Sequence, residues 1–328
     1  MKLVIFLLLG RYRIEKPYFA LKPKIWLSYS AMTLLLLICN SCEVSTIQNE
    51  DVFIKSDRSV VDITSSVIGV SLGLFASDPL WNYQSLTTEI TDLGVQHILI
   101  VIPLKQTDYK SNNPILGVPI EVIRKTIQQS QALNLKISLM PLITLENRRM
   151  DHWRGILAPS DPSLWWRNYS LEMRRIGFLA ESFQIERLIV GAELSSLENE
   201  TAHWRKLILN LRTIYKGRLT YSANWDHYRD ISFWDALDEV SVTAYFPIQS
   251  IHSIESDWQN YLNQVQEYAH VNKKPFIITE YGYPSLSSAL HEPWNEAAQA
   301  SLDQELQAIL IERATRKILS NISEDKEK

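Results

Sequence analysis

Two short apolar runs in this chain each end in a glutamate. "IVGAELSSLE" (189–198) delivers Glu193, and "PFIITEYGYPS" (275–285) delivers Glu280. The residues before each carboxyl have the look of buried strands, where an ordinary core would continue with another Val. A buried carboxylate is costly unless it is paired or hydrogen-bonded, so two of them suggest a catalytic pair. Two carboxyls facing each other across a cleft suit cleavage of a glycosidic bond. At about 5–5.5 Å, one attacks the anomeric carbon and the other protonates the leaving oxygen. The nucleophile must stay ionised and the acid must hold its proton, so their surroundings must differ.

The elements that would carry these residues alternate. Strands are expected at 66–76, 97–104, 135–145, 187–196, 218–226, 238–248 and 275–285, and helices at 82–93, 119–134, about 161–183, 200–215 and 254–271. Gly94 closes the first helix and Asn134 caps the second. Asp161 followed by Pro162 is an N-cap and N1 pair. Seven strands, each followed by a helix or helical turn, are the signature of parallel βα units. Several strands are continuous apolar runs, as burial on both faces requires. The fold class is α/β, and the favoured closure is a (β/α)8 TIM-type barrel. A doubly wound sheet is the rival, but no glycine-rich phosphate loop follows the first strand.

In such a barrel, active-site residues lie at the C-terminal ends of strands. Those ends read Pro103 and Lys105, Pro141, Glu193, Asn224-Trp225-Asp226, Tyr245 and Glu280. A single Glu at a strand end reads equally well as a solvated loop residue. Two, on strands four and seven, can converge across the mouth of a narrow barrel. Tyr245 could donate a hydrogen bond to the nucleophile and help keep it anionic.

Several stretches resemble glycoside hydrolase family 113, within clan A of the retaining glycoside hydrolases. They are "WRG" (153–155), "GAELSS" (191–196), "YSANWD" (221–226), "FWDALDEVSVTAYFP" (233–247), and "TEYGYPS" (279–285) followed by "PW" (293–294). The resemblance covers about residues 67 to 310. It implies a β-1,4-mannanase-like activity, with Glu193 as acid/base and Glu280 as nucleophile. Clan A mostly has Asn before the acid/base, where this chain has Ala192. Asn224, Trp225 and Trp294 are then candidate substrate contacts, an indole face stacking on a pyranose and an amide fixing a hydroxyl. Trp153 and Arg154 could line a subsite, although Arg154 could equally tie down its own loop. Trp165 and Trp166 read as packing within a helix.

Composition narrows the partners. The chain has 328 residues, 46% apolar and 21% charged, with a formal charge of −4 and no basic stripe. That argues against nucleic acid and fits a carbohydrate substrate. The two cysteines, Cys39 and Cys42, precede the globular part, so neither a disulfide framework nor a Cys-based metal site is expected there. The seven His show no ligand spacing, so no metal and no cofactor are expected. The oligomeric state is not legible.

The N-terminus reads differently. "LKPKIWLSYSAMTLLLLICNSC" has lysines, an apolar run, then small polar residues and Cys42, an export-signal pattern whose end resembles the lipobox of bacterial lipoproteins. The domains expected are therefore an export signal at 1–42, a tether at 43–60 and a barrel at 61–328. Cys42 would be lipidated, anchoring an exported protein to the bacterial cell membrane or outer membrane; the alternative is that the N-terminal segment stays uncleaved and is itself the membrane anchor. The earlier run "MKLVIFLLLG" is too short to span a bilayer and reads as lying upstream of the signal.

The end of the chain departs from the pattern. Residues 295–320 read as helix throughout, and only a charged tail follows. Seven strands are expected, with the eighth missing and a long C-terminal helix covering part of the gap. An open barrel would reduce activity, leaving two alternatives: a retaining glycosidase, or a non-catalytic surface glycan-binding lipoprotein on the same fold.

Overall fold

The computed structural model describes residues 4–8, 67–78, 80–147 and 152–324. Cys42, the apolar run before it and the 43–60 segment lie outside the described residues. The strands are β1 (Val4–Leu8), β2 (Val67–Gly73), β3 (His97–Gln106), β4 (Ile115–Leu116), β5 (Lys136–Leu145), β6 (Arg187–Ala192), β7 (Arg218–Asn224), β8 (Val240–Thr243) and β9 (Phe276–Tyr281). The helices are α1 (Gln84–Asp92), α2 (Ile120–Ala132), α3 (Pro162–Ser182), α4 (Thr201–Arg212), α5 (Ile254–Val271) and α6 (Gln304–Glu324). The sheet runs β2-β1-β9-β8-β7-β6-β5-β3, and β2 pairs with β3 to complete the ring. All these pairings are parallel; only the two-residue β4 is antiparallel, against the end of β3. The architecture is the expected (β/α)8 barrel.

The strands read as unbroken apolar runs because both of their faces are covered. Ile98, Ile100 and Ile102 of β3 join the large core between sheet and helices. The alternating Leu99 and Val101 turn inward and meet Met140, Leu142, Ile189, Ala192 and Ile277 in a separate cluster inside the barrel. A period of two therefore sorts one strand between two cores. Asp161 caps α3, its side chain accepting from the Leu164 amide at 2.9 Å. Gly94 (φ 73°) and Asn134 (φ 59°) make the left-handed turns that end α1 and α2. Among the described residues no helix is long and apolar enough to cross a membrane.

Two expectations about the ends change. The C-terminal helix is shorter at its start than the sequence suggests, since α6 begins only at Gln304. Asp303 takes the Leu306 amide at 2.8 Å and opens the helix there. Before it, Leu302 forms a bridge with Leu286. The eighth place in the ring is filled by β1, between β2 and β9, with Val4 opposite Val67 and Ile5 opposite Ile278. A barrel lacking one strand presents two facing rows of unpaired donors and acceptors, and a short aliphatic run satisfies both. The C-terminal helix lies alongside as expected: Leu310, Ala314 and Ile318 are fully buried, Arg313 pairs with Glu255 on α5, and Thr315 bonds the Tyr281 hydroxyl of β9.

The N-terminal end of the barrel holds a buried polar network. Arg187 (0% exposed) makes a two-point bond to Glu239, Nε to Oε2 at 2.6 Å and Nη2 to Oε1 at 3.0 Å. Arg218 Nη1 adds a third contact to Oε1 at 2.6 Å. Arg187 Nη1 also donates to Ser138 Oγ at 3.1 Å, which stands 3.0 Å from His97 Nε2. Burial, with Arg187 and Lys136 nearby, pulls the His97 pKa down to about 3, so the ring is neutral.

Glu239→Ala strips the buried Arg187 of its closest counter-charge and leaves Glu186 at 3.7 Å, and urea unfolding should show a loss of about 3–5 kcal/mol. His97 gives a pH signature. Its folded pKa lies below the ordinary 6.5, so its contribution is complete above pH 6.5 and is lost as pH falls towards 3. Unfolding midpoints measured across that window should decline in the wild type and decline less steeply in His97→Gln.

Candidate active site

Glu193 follows the last residue of β6 and adopts φ 52°. A non-glycine residue pays of order 1–3 kcal/mol for that conformation, which persists only where surroundings enforce it. Here its N–H donates to Ser222 O of β7 at 2.9 Å. The pairing of β6 with β7 shifts register between Ile189 and Ala192, and that of β8 with β9 between Val242 and Thr243. Such irregularities re-aim side chains at barrel rims. The Glu193 side chain is 5% exposed. Thr243 Oγ1 donates to Oε1 at 2.6 Å, and the Arg154 guanidinium pairs with Oε2.

Glu280 lies within β9 and is 4% exposed. The Tyr245 hydroxyl donates to its Oε2 at 3.2 Å. β8 ends at Thr243, so Tyr245 reaches in from the segment beyond the strand. Burial first, then the charges of Glu280, Glu193 and Glu296, push the Tyr245 pKa well above the usual phenol value. The group is therefore a proton donor throughout the working range. Burial disfavours the charge on Arg154, but Glu193, Glu280 and Tyr245 outweigh it and hold the guanidinium more firmly protonated than usual. Arg154 and Tyr245 each sense both carboxylates, so the structure brings the two glutamates to one place.

The other expected site residues divide. Trp225 and Trp294 meet, with ring centroids 6.3 Å apart and planes 28° from parallel. Trp225 is backed edge-on by Phe246 and Tyr261, while Trp294 is 52% exposed. Asn224 ends β7 and donates its amide to Ser195 Oγ at 2.9 Å, which ties down the turn after Glu193. The Trp153 indole folds over Gly155, where any Cβ would lie 2.2 Å from the ring. It is half-buried against its own loop, and that loop delivers Arg154 to Glu193. Trp165 and Trp166 are buried packing residues of α3.

Sequence reasoning passed over several residues. Thr243 was hidden within an apolar strand, although Ser and Thr at alternate positions (Thr220 and Ser222 on β7, Ser241 and Thr243 on β8) mark it in hindsight. An open cleft of about 310 Å³ lies at the same end of the barrel, lined by Phe75, Lys105, Thr144 and Glu146 from the ends of β2, β3 and β5. Of its lining, Lys105 and Pro103 stood out beforehand. Among the described residues, no group of three or more His, Cys, Asp or Glu could hold a metal ion.

No curated protein matches the chain by sequence. Solved structures do match by fold. One GH113 β-1,4-mannanase structure superposes with a TM-score of 0.69 at 22% identity, covering 77% of this chain and 84% of that one. The GH113 β-mannanase AaManA from Alicyclobacillus acidocaldarius, in complex with ManMIm, superposes with a TM-score of 0.66 at 22% identity, covering 76% and 81%. The model of Glycoside Hydrolase Family 113 matches residues 82–321, which span both glutamates, Arg154, Tyr245 and both rim tryptophans. The chain belongs to glycoside hydrolase family 113.

Proposed function

We propose that this chain is a retaining glycoside hydrolase acting on a β-linked polysaccharide or oligosaccharide of the β-mannan type. The observation that carries the reading is the placement of two buried glutamates under one arginine and one tyrosine at the mouth of the barrel. Glu280 attacks the anomeric carbon while Glu193 protonates the departing glycosidic oxygen. Glu193 then takes a proton from water, which displaces Glu280 from the glycosyl-enzyme. Tyr245 donates to the Glu280 carboxylate in the resting site and keeps it anionic. Arg154 balances the charge that Glu193 takes on once it has given up its proton. The Trp225–Trp294 pair offers an apolar face on which a sugar ring can stack.

Cys42 acylation belongs to the same proposal. The basic segment, the apolar run and Cys42 support export of the protein and its attachment to a membrane, with 43–60 as tether. Cleavage before Cys42 would release β1 as well, so the lipidated chain and the barrel closed by Val4–Leu8 are alternative forms. Stable attachment needs two or more acyl chains, since one binds only marginally.

Glu280→Ala and Glu193→Ala should each lower turnover of β-1,4-manno-oligosaccharides by orders of magnitude, with the fold intact by circular dichroism. Azide should partly restore Glu193→Ala on an activated aryl β-mannoside, because a good leaving group needs no acid and azide intercepts the glycosyl-enzyme. First-formed product of inverted configuration, read by proton NMR, would reject the retaining assignment. Retention of mannan on the protein without hydrolysis would favour a glycan-binding protein instead. For the anchor, labelled fatty acid should enter the wild type and not Cys42→Ser; equal labelling of the two rejects it.

A further inference from the structure

Behind Glu193, on the side away from the barrel interior, lies a second buried carboxylate that the mechanism does not use. Glu198 is 3% exposed. Its Oε1 accepts from the Tyr221 hydroxyl at 2.8 Å, and its Oε2 stands 3.4 Å from His227 Nδ1. The same hydroxyl accepts from the Leu194 amide at 2.8 Å. Tyr221 is 0% exposed, packed among Trp204, Phe233 and Trp234 in the core between sheet and helices. Its position is cut out of β6: a Cβ on Gly191 would lie 3.1 Å from the Tyr221 ring and 2.6 Å from Trp204.

We infer that Tyr221 and Glu198 form a positioning unit that holds the strained Glu193–Leu194 peptide, and through it the Glu193 carboxyl, in place for proton transfer. The inference rests on the reading of Glu193 as acid/base. The amide of Glu193 is held by Ser222 O, and the amide of Leu194, immediately beyond the φ 52° residue, is held by Tyr221. Glu198 aims that hydroxyl. As an acceptor it engages the Tyr221 O–H, which leaves a lone pair of the oxygen directed at the Leu194 N–H. The turn closes on itself as well, with Leu197 N donating to Leu194 O at 2.8 Å, so Glu198 and Leu194 move as one. A leucine at 198 would pack there without a desolvation cost, and a buried carboxylate is kept only where its bonds are needed. Neither residue bonds Glu193's carboxyl, so the pair positions and does not itself react.

The experiment compares leaving groups. A β-1,4-linked mannotriose needs an acid to expel its sugar oxygen, whereas 2,4-dinitrophenyl β-mannoside does not. For both, kcat/KM reports the step up to the glycosyl-enzyme. Tyr221→Phe should lose at least about tenfold in kcat/KM on the trisaccharide and less than about twofold on the aryl glycoside, since a well-placed acid contributes on the order of 100-fold or more. Glu198→Leu should behave likewise, and Glu198→Gln, which keeps an acceptor oxygen, should lose less than Glu198→Leu on the trisaccharide. Equal losses on both substrates, or none, would overturn the inference. So would equal behaviour of the two Glu198 variants. A crystal structure of Tyr221→Phe gives a reading that needs no turnover. Loss of the Thr243–Glu193 bond supports the inference, and an unchanged Glu193 backbone and carboxyl overturns it. Wild type inert towards both glycosides would refute the hydrolase reading alone, and the crystal structure would still decide the positioning role.

Discussion

Two carboxyl groups buried in one mouth share a place where charge is costly, and most of the site is arranged around that fact. Arg154 is the compensating charge. It arrives on a loop after β5 rather than on a strand, and the Trp153 indole folded over Gly155 braces that loop. The carboxylates are then separated by the kind of donor each receives. Glu193 has the guanidinium and the Thr243 hydroxyl, whereas Glu280 has the Tyr245 phenol. A hydrogen bond to an ionised group is shorter and stronger than one between neutral groups, so these donors fix orientation as well as charge.

The two ends of the barrel use buried polarity differently. At the N-terminal end, Arg187, Glu239, Ser138 and His97 form a buried network around one Arg–Glu pair. At the C-terminal end, the polar side chains come from many elements and meet around Glu193 and Glu280. Networks of the first kind rigidify a core, and those of the second kind are costly and are retained for chemistry. Between the two ends, Leu99, Val101, Met140, Leu142, Ile189 and Ile277 fill the interior and separate them.

The strands and the two glutamates were legible because a carboxyl at the end of an apolar run breaks a pattern. Tyr245 was legible for the same reason. Thr243 was not, because a threonine is an ordinary strand residue and its bond to Glu193 crosses from β8 to the end of β6. Arg154 could be read as a site residue or as a loop tie, and its guanidinium bonds Glu193. Tyr221 and Glu198 were not singled out by their types or spacing. Their link depends on the close packing of β6 against β7 that Gly191 permits, which spacing in sequence does not reveal. The start of α6 was misplaced because "EAAQA" (296–300) is rich in helix formers, while the Asp303 cap that sets the boundary is a single side chain. The eighth strand was sought after β9 and found at the opposite end of the chain.

That location governs the order of assembly. β2 to β9 can each join a neighbour that is close in the chain, so seven strands can accumulate by local steps. β1 instead pairs at one edge with residues roughly 270 positions downstream, Leu7 with Tyr281. Contacts of such separation form late, after the entropy of a long loop has been overcome. Until then the edge of β9, the strand that carries Glu280, stays open to any extended peptide. A barrel without β1 in place therefore presents the edge most prone to pair with the wrong chain.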